Sequence, residues 1–257
     1  LKGFASTYFV YKPGVNIILS KGYMTGEPYG PVDKEGNGRG KLLEHEAFKL
    51  LEYYNIPFPP YGIAKTPEEA KAISSRIGFP VVLKIVSPDI SHKTDVGGVI
   101  LGVNTPDDAA KAFNEIIGNI RRKVPGARIE GVIVQKMVPR GLEVIIGGLR
   151  DPVFDVVVMF GLGGVFTEVF RDVTFRIWPF KKEDAAEMLR EVRAAALLRG
   201  FRGMLPVDEE SLEDIIVKFG KLMEEHPEIE SADLNPVIAY SNGSLVVDAR
   251  FILRKTH

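Results

Sequence analysis

A polar loop at residues 87–99 holds the side chains of this chain that are best suited to chemistry. It follows an apolar, β-branched run that ends on Lys84, and it contains His92, Lys93 and the pair Gly97 and Gly98. A lysine supplies a compact positive charge, and glycines let backbone N–H groups approach phosphate oxygens without a Cβ in the way. A histidine can act as a general acid or base, or as a nucleophile. The loop predicts a nucleotide-phosphate site, with a solvated turn of incidental charge as the alternative.

A second candidate site lies near the end of the chain. Asn235 and Asp248 fall on predicted strands joined by a hairpin turn at residues 241–243, so their side-chain oxygens can face one point. Magnesium favours oxygen ligands, usually one or two from the protein, with nucleotide phosphates and water completing an octahedron. The pair predicts a magnesium site, and two hydrogen-bonding residues at strand ends are an equally open alternative.

The run at residues 132–138 joins two predicted lobes, which is a common location for a nucleotide base. Its apolar end could sandwich the base, its backbone groups could read the base edge, and an acidic residue on the next strand could hold a ribose hydroxyl. The alternative, favoured by the residues alone, is an interior strand whose Gln and Lys face water. The candidate residues are Gln135, Lys136, Met137, Val138 and Glu143.

A glycine-rich turn at residues 160–168 follows another predicted strand. It lacks the G-x-x-x-x-G-K-[ST] pattern, and no helix cap clearly follows, so it indicates neither a Walker site nor a dinucleotide-binding fold. A flexible loop over a substrate and a plain tight turn stay equally open.

The composition excludes several classes of protein. The 257 residues include 33 Lys and Arg against 34 Asp and Glu, for a formal net charge of -1, so no basic field points to a nucleic acid or a membrane as a partner. The lack of cysteine excludes disulfides and thiolate metal sites. No apolar run approaches the roughly 18 residues that span a bilayer, and the amino end has no secretory pattern. We therefore expect a cytoplasmic protein.

Alternating helices and strands must position these residues. Residues 1–41 are predicted to be an extension or connector with short strands near 9–11 and 15–19, and the first helix starts near Leu42 and ends before Pro57. The capping boxes at Thr66 and Thr105, each followed by proline, begin two more helices. The first is predicted to end near Ile77, before Gly78, and the second near Lys123. The remaining predictions are helices at 182–198 and 211–224 and strands at 81–86, 99–103, 131–138, 142–146, 154–160, 236–240 and 244–247. This mixture predicts an α+β fold with mostly antiparallel sheets.

Together these features resemble the ATP-grasp superfamily and, more narrowly, the β subunits of ADP-forming acyl-CoA synthetases of the acetate–CoA ligase type, relatives of succinyl-CoA synthetase. The resemblance spans residues 42–253 and is strongest at 82–99, 160–168 and 233–248. It implies a mixed α/β, ATP-grasp fold of two α+β lobes with ATP or ADP bound between them. The expected lobes are a small one at 42–130 with the histidine loop and a large one at 131–257 with the Mg-nucleotide site.

The resemblance also implies a role for individual positions. Lys84 matches the lysine that contacts nucleotide phosphates, His92 matches a phosphohistidine, and Asp233 matches the acidic residue that orients an incoming phosphohistidine. Asn235 and Asp248 match the ligands of Mg2+. The adenine hinge corresponds to Gln135, Lys136, Met137 and Val138, with Glu143 as the acidic residue just after it, while Lys93, Gly97 and Gly98 stay assigned to phosphate handling.

The implied mechanism is a phosphoryl relay shared with another polypeptide. Acyl-CoA and phosphate give an acyl phosphate on an α subunit, a histidine of that subunit takes the phosphoryl group, and a mobile segment passes it to His92 for transfer to ADP. No CoA-binding module is visible in this sequence, so the α subunit is expected to carry the CoA-binding and ligase domains in an α2β2 hetero-oligomer. The alternatives are another ATP-grasp carboxylate ligase, which would not need His92, and a nucleotide-sensing regulatory subunit.

Overall fold

The computed structural model describes residues 8–12, 15–19, 40–163 and 172–254, with the first two segments described as strand backbone. Most of the glycine-rich turn predicted at 160–168 and most of the connector predicted at 1–41 lie outside the described residues. The chain forms two compact units: the first consists of 41–49 and 58–139, and the second of 50–57, 140–254 and the described residues before 41.

The described helices and strands alternate along the chain. The helices are α1 (Glu44–Tyr53), α2 (Pro67–Ile77), α3 (Pro106–Lys123), α4 (Lys182–Glu191) and α5 (Glu209–Glu225), with a 3-10 turn at Ala195–Leu197. The strands are β1 (Tyr8–Lys12), β2 (Val15–Leu19), β3 (Tyr61–Ala64), β4 (Val81–Val86), β5 (Val99–Val103), β6 (Gly131–Lys136), β7 (Leu142–Asp151), β8 (Asp155–Leu162), β9 (Val173–Ile177), β10 (Ile229–Tyr240), β11 (Gly243–Val246) and β12 (Ala249–Leu253).

The first unit is a four-stranded antiparallel sheet in the order β3-β6-β4-β5. Its helices begin where the sequence predicts, because the Thr66 and Thr105 hydroxyls each accept a hydrogen bond, at 3.1 Å, from the backbone N–H three residues on. Proline follows each cap, and the last turn of α3 carries three basic residues that complement the helix dipole.

Alternation along β4 separates the core of the first unit from its charged face. Val81, Leu83 and Ile85 are buried with the apolar sides of α2 and α3. The intervening side chains point to the opposite face, because successive strand residues alternate. That face carries Lys84 and, with Val86, meets residues at the start of α1 and on β3 and β6.

The second unit is a larger sheet whose described strands run in the order β11-β10-β7-β8-β9-β1-β2, with β12 also paired to β10. Every strand pair in it is antiparallel except β1 with β9. One face is covered by α5, where a Cβ on Gly148 would lie only 2.8 Å from the ring of Phe219. The buried Arg176 of β9 holds α4 through Glu191, with contacts of 2.7 and 2.9 Å. These contacts hold α5 and α4 against the sheet whose strand β10 carries Asp233 and Asn235.

Most predicted elements are confirmed, and the fold is the predicted mixture of helices and antiparallel strands. The helix at 67–77 and the strands at 81–86 and 99–103 have the predicted bounds. Strands β3, β9 and β12 and the first half of β10 were not predicted, and the helix predicted at 182–198 ends at Glu191. The boundary between the units also differs from the predicted one at residue 130, because β6 pairs with β3 and β4 and so belongs to the first unit.

Within the part of the chain that the structure describes, no helix is long and apolar enough to cross a membrane.

Candidate functional site

A buried charge cluster in the first unit joins two of the predicted phosphate-handling lysines. Lys84, which is 6% exposed, donates from Nζ to the Glu44 carboxylate at 2.7 Å. Lys93, from the loop, contacts the other oxygen of the same carboxylate. Both ammonium groups are therefore held at one carboxylate on the Lys84 face of β4.

Glu44 is a site residue that the sequence reasoning missed. It stands in the first turn of α1, where an acidic residue complements the helix dipole and is ordinarily a surface feature. Burial raises the pKa of its carboxyl, but the ammonium groups of Lys84 and Lys93 outweigh burial, and the pKa lies below its usual range. Glu44 is thus a carboxylate anion between two cations.

The amino-terminal half of the loop is tied to the body of the first unit. Lys41 donates from Nζ to the Ile90 carbonyl at 2.8 Å and to Ser91 Oγ at 3.3 Å. Arg128 binds Asp89 through its guanidinium, at 2.8 and 3.1 Å, and through its backbone N–H at 2.8 Å. The guanidinium lowers the pKa of Asp89, so this anchor is an ion pair.

The carboxy-terminal half of the loop is tied to α3. Asn119 Nδ2 donates to the Gly97 carbonyl at 3.1 Å, and Lys123 Nζ donates to the Asp95 carbonyl at 3.2 Å. Gly97 has a φ of +70°, a left-handed conformation that favours glycine. The loop therefore has a defined path on both sides of His92.

Gly98 is required by close packing rather than by phosphate contact alone. A Cβ at this position would lie 2.6 Å from Ile85 Cγ2 and 2.9 Å from the Lys93 carbonyl oxygen. The Gly98 N–H donates to that carbonyl at 2.7 Å, and its own carbonyl accepts from the Ile85 N–H at 2.7 Å. The glycine pair therefore folds the loop back onto β4, while His92 stays exposed.

In the predicted adenine hinge, one side chain is buried and two backbone N–H groups already have hydrogen-bond partners. Gln135 is fully buried on the Lys84 face of the sheet, so the alternative in which it faces water is wrong. The Lys136 side chain donates to the Phe79 carbonyl at 2.5 Å, and its backbone N–H donates to the Pro60 carbonyl at 2.9 Å. The Met137 N–H likewise donates to the Pro80 carbonyl at 3.0 Å. Neither of these two N–H groups is available to a base edge in this state, and base reading by the neighbouring Val138 stays a prediction.

The second unit brings the predicted metal ligands together. Strand β10 changes its pairing partner from β12 to β11 at Asn235, and Asp248 lies in the short connection between those two strands. The Asn235 N–H donates to the Asp248 carbonyl at 3.0 Å, which holds the two residues side by side. One oxygen of Asp248 accepts from the Ala249 N–H at 2.9 Å, which orients the carboxylate. An amide and a carboxylate on residues held side by side are oxygen donors of the kind that Mg2+ prefers.

Asp233 lies on β10 just before this point, opposite Arg250 of β12 and Gly147 of β7. Burial raises the pKa of its carboxyl to about 6, helped by the Asp248 carboxylate and opposed by the Arg250 guanidinium. A carboxyl with this pKa can accept a hydrogen bond from an imidazole N–H near neutral pH. The predicted orienting role is therefore chemically consistent with its surroundings.

Glu143 lies at the start of β7, opposite Ile238 of β10, with its side chain exposed. Its backbone carbonyl accepts from the Gly163 N–H at 2.7 Å, and a Cβ on Gly163 would lie 2.9 Å from Glu143 Cβ. The glycine-rich turn thus requires glycine at position 163, where it meets Glu143.

The first unit also has a cavity of about 670 Å³ that the predicted mechanism does not use. None of the predicted site residues lines it. Its lining residues are His45, Ile63, Lys65, Val86, Phe113, Ile117, Arg121, Ile129, Glu130 and Gly131.

Comparison with known proteins identifies relatives over most of the chain. The ATP-grasp domain family matches residues 34–253. Subunit beta of acetate–CoA ligase (ADP-forming) I from Pyrococcus furiosus is 50% identical over 222 residues, which cover 86% of this chain and 96% of that protein. Acetate–CoA ligase (ADP-forming) I from Archaeoglobus fulgidus is 48% identical over 222 residues, which cover 86% of this chain but 32% of that longer protein.

Two solved structures of another relative match about the same share of this chain. Dinucleotide-forming acetyl-coenzyme A synthetase 1 from Candidatus Korarchaeum cryptofilum, in complex with coenzyme A, Ca-AMPCP and HgCl+, has a TM-score of 0.83 and 55% identity, and the match covers 85% of this chain and 95% of that chain. Another structure of that protein, with coenzyme A and Mg-AMPPCP, has its phosphohistidine segment pointing towards the nucleotide binding site, with a TM-score of 0.76, 51% identity and the same coverage. The family predicted from the sequence is confirmed: this chain belongs to the ATP-grasp family, among the β subunits of ADP-forming acetate–CoA ligases.

Proposed function

We propose that this chain is the nucleotide-handling β subunit of an ADP-forming acyl-CoA synthetase, and that His92 carries the phosphoryl group that is exchanged with ATP and ADP. The observation that supports this role most strongly is the loop itself. His92 is exposed, while the residue after it contacts Glu44 in a cluster that also holds Lys84. An accessible imidazole on the residue next to a lysine of this cluster suits phosphoryl transfer, which needs a nucleophile and fixed positive charge.

Transfer of the phosphoryl group from His92 to ADP needs no further reactant. The bond between phosphorus and the His92 imidazole nitrogen breaks, and a bond forms between phosphorus and a terminal phosphate oxygen of ADP, which gives ATP and a free imidazole. Lys84 and Lys93 would offset the charge of the phosphate oxygens while they are in line. The tied loop would keep the imidazole from moving during transfer.

In the second unit, Asn235 and Asp248 would hold Mg2+, which supplies positive charge that the nucleotide phosphates need when it is bound. Asp233 would accept the imidazole N–H of an incoming phosphohistidine and orient the ring, and Glu143 would bind a ribose hydroxyl. Support for a nucleotide with Mg2+ comes from the Korarchaeum relative, whose structure was solved with Mg-AMPPCP.

An α subunit that carries the CoA-binding and ligase domains belongs to the same proposal. The Pyrococcus relative is named a subunit beta, and the Archaeoglobus relative has about two thirds of its length outside the match. Each supports further polypeptide acting with this one. An α2β2 assembly, which the family resemblance implies, and a cytoplasmic location complete the proposal.

Labelling with ATP tests the function directly. The purified chain is incubated with Mg2+ and ATP labelled on the γ-phosphate, and acid-labile, base-stable label is mapped by peptide mass spectrometry. We expect label on His92, none in His92→Ala, and normal label in Thr94→Ala, a matched exposed change in the same loop. Label that persists in His92→Ala, or a chain that binds ATP and carries none, would favour another ATP-grasp ligase or a nucleotide sensor.

A further inference from the structure

The Glu44 carboxylate links the nucleotide lysine to the histidine loop. One oxygen accepts from Lys84 on β4 and the other contacts Lys93, the residue that follows His92 in the chain. The Glu44 side chain is 3% exposed, and those of Lys84 and Lys93 are 7% and 20% exposed. A carboxylate buried to this degree is stable only with such partners, so its removal leaves two cations without their shared anion.

We propose that Glu44 is a positioning residue for phosphoryl transfer, and that it acts by fixing Lys84 and Lys93 in the geometry that aligns His92 with the nucleotide. The inference rests on the proposed function, because it assigns to Glu44 a role at the same site. Glu44 touches neither phosphate nor imidazole in this role and acts through the two lysines.

Because Glu44 is negatively charged, it weakens nucleotide binding, whereas its hold on the loop speeds phosphoryl transfer. A phosphate that approaches Lys84 must compete with a carboxylate already bound there, so Glu44 weakens binding of the nucleotide ground state. The same carboxylate holds Lys93, and with it the backbone on one side of His92, in a single orientation. Preorganisation of this kind favours the transition state rather than the bound substrate.

The Glu44→Gln variant separates this role from a purely structural one. The isosteric amide removes the negative charge and leaves both lysines positive. We expect the dissociation constant for Mg·ATP to fall about three- to tenfold, while the single-turnover rate of His92 labelling at saturating ATP falls about tenfold or more. General damage to the fold would weaken nucleotide binding instead. Glu52→Gln, an exposed change on the same helix, is the control and should alter neither quantity.

The Lys93→Met variant tests the route from Glu44 to His92 and serves if Glu44→Gln does not fold. It removes the contact between Glu44 and the loop but leaves the pair of Glu44 with Lys84. We expect slower labelling in Lys93→Met, and labelling in the double variant no slower than in the slower single variant, because both changes break one linkage.

The outcomes separate this inference from the proposed function. A wild-type chain without label on His92 contradicts the proposed function. Wild-type label together with a normal labelling rate in Glu44→Gln, or with weaker nucleotide binding in that variant, overturns the positioning role alone. A normal labelling rate in Lys93→Met also overturns it, and so does a labelling loss in the double variant equal to the product of the two single losses.

Discussion

Lys84 lies on β4 and Lys93 lies in the loop between β4 and β5, and both bind Glu44. Desolvation of three charges costs free energy that only close, well-aligned contacts offset. The contact of 2.7 Å between Lys84 and Glu44 is within the range of a strong charge-assisted hydrogen bond. At the scale of single residues, the site is therefore built around a carboxylate that fixes two cations.

Glu44 should make the stability of the protein depend on pH. Its pKa in the folded chain is below the ordinary value of about 4.5, so its ionised form stabilises the fold at pH values above 4.5. This contribution is lost as the pH falls through the folded-state pKa. At pH 7 we expect Glu44→Gln to lower the free energy of unfolding by about 3–5 kcal/mol, measured by urea denaturation.

Urea denaturation of wild type and Glu44→Gln at lower pH tests whether the charge of Glu44 is responsible for this difference in stability. The difference in stability between wild type and Glu44→Gln should shrink between pH 5 and the acid limit of the folded range, about pH 3. A difference that stays constant over this range would show that the carboxylate charge is not what stabilises the cluster.

The sequence pointed to His92, Lys84 and Lys93 as candidates, but not to the carboxylate that binds the two lysines. His92, Lys84 and Lys93 stand out because their types and spacing suit phosphate. Glu44 lies 40 residues before Lys84, and at the start of an amphipathic helix an acidic residue normally faces solvent. Tertiary contact alone gives it a role, and the burial of Gln135 escaped prediction for the same reason.

At the scale of elements, two glycines of the first unit differ in what a methyl group would meet. Gly118 is an exposed position inside α3, where a Cβ would have no neighbouring atom within 4 Å, whereas a Cβ on Gly98 would meet Ile85 and the Lys93 carbonyl. We expect Gly118→Ala to raise the free energy of unfolding by up to about 1 kcal/mol, because alanine loses less backbone entropy in a helix.

Gly98→Ala is the opposite case and should lower the free energy of unfolding by about 1–3 kcal/mol through overpacking. Urea denaturation of both variants beside wild type measures the two effects. Equal effects of the two substitutions would contradict the close packing of the loop against β4.

Local signals predicted the elements well where they are strong. Helix α2 has the predicted bounds because Thr66 and Pro67 begin it and Gly78, with a φ of +84°, ends it. Strand β3 was missed because its four residues include a glycine and follow prolines, which is a weak strand pattern. The first half of β10 was missed because it carries charged residues, and it is a strand since both of its edges pair, with β7 and with β12.

At the scale of the whole molecule, the candidate residues divide between the two units. The lysines, the glycine pair, His92 and Glu44 belong to the first unit. Glu143, Asp233, Asn235 and Asp248 belong to the second. A nucleotide should stabilise the folded chain, because a ligand that binds only the native state shifts the unfolding equilibrium.

Mg·ATP at one hundred times its dissociation constant should raise the free energy of unfolding by about 2.7 kcal/mol, measured as an increase in Tm. Lys84→Met should lose most of this increase, since the ammonium that meets the phosphates is gone. Lys71→Met, which removes a surface lysine paired with Asp107, should keep it. A full increase in Lys84→Met would contradict the assignment of Lys84 to the nucleotide.

Exchange of label between ADP and ATP tests the central claim most directly. Unlabelled ATP transfers its γ-phosphoryl group to His92 and leaves as ADP, and labelled ADP then takes that group to become labelled ATP. The exchange therefore needs only the two nucleotides and Mg2+, without acyl-CoA, phosphate or an α subunit. We expect exchange in wild type and in Thr94→Ala and none above background in His92→Ala. Exchange at the wild-type rate in His92→Ala, or no exchange by a wild-type chain that binds both nucleotides, would contradict the account.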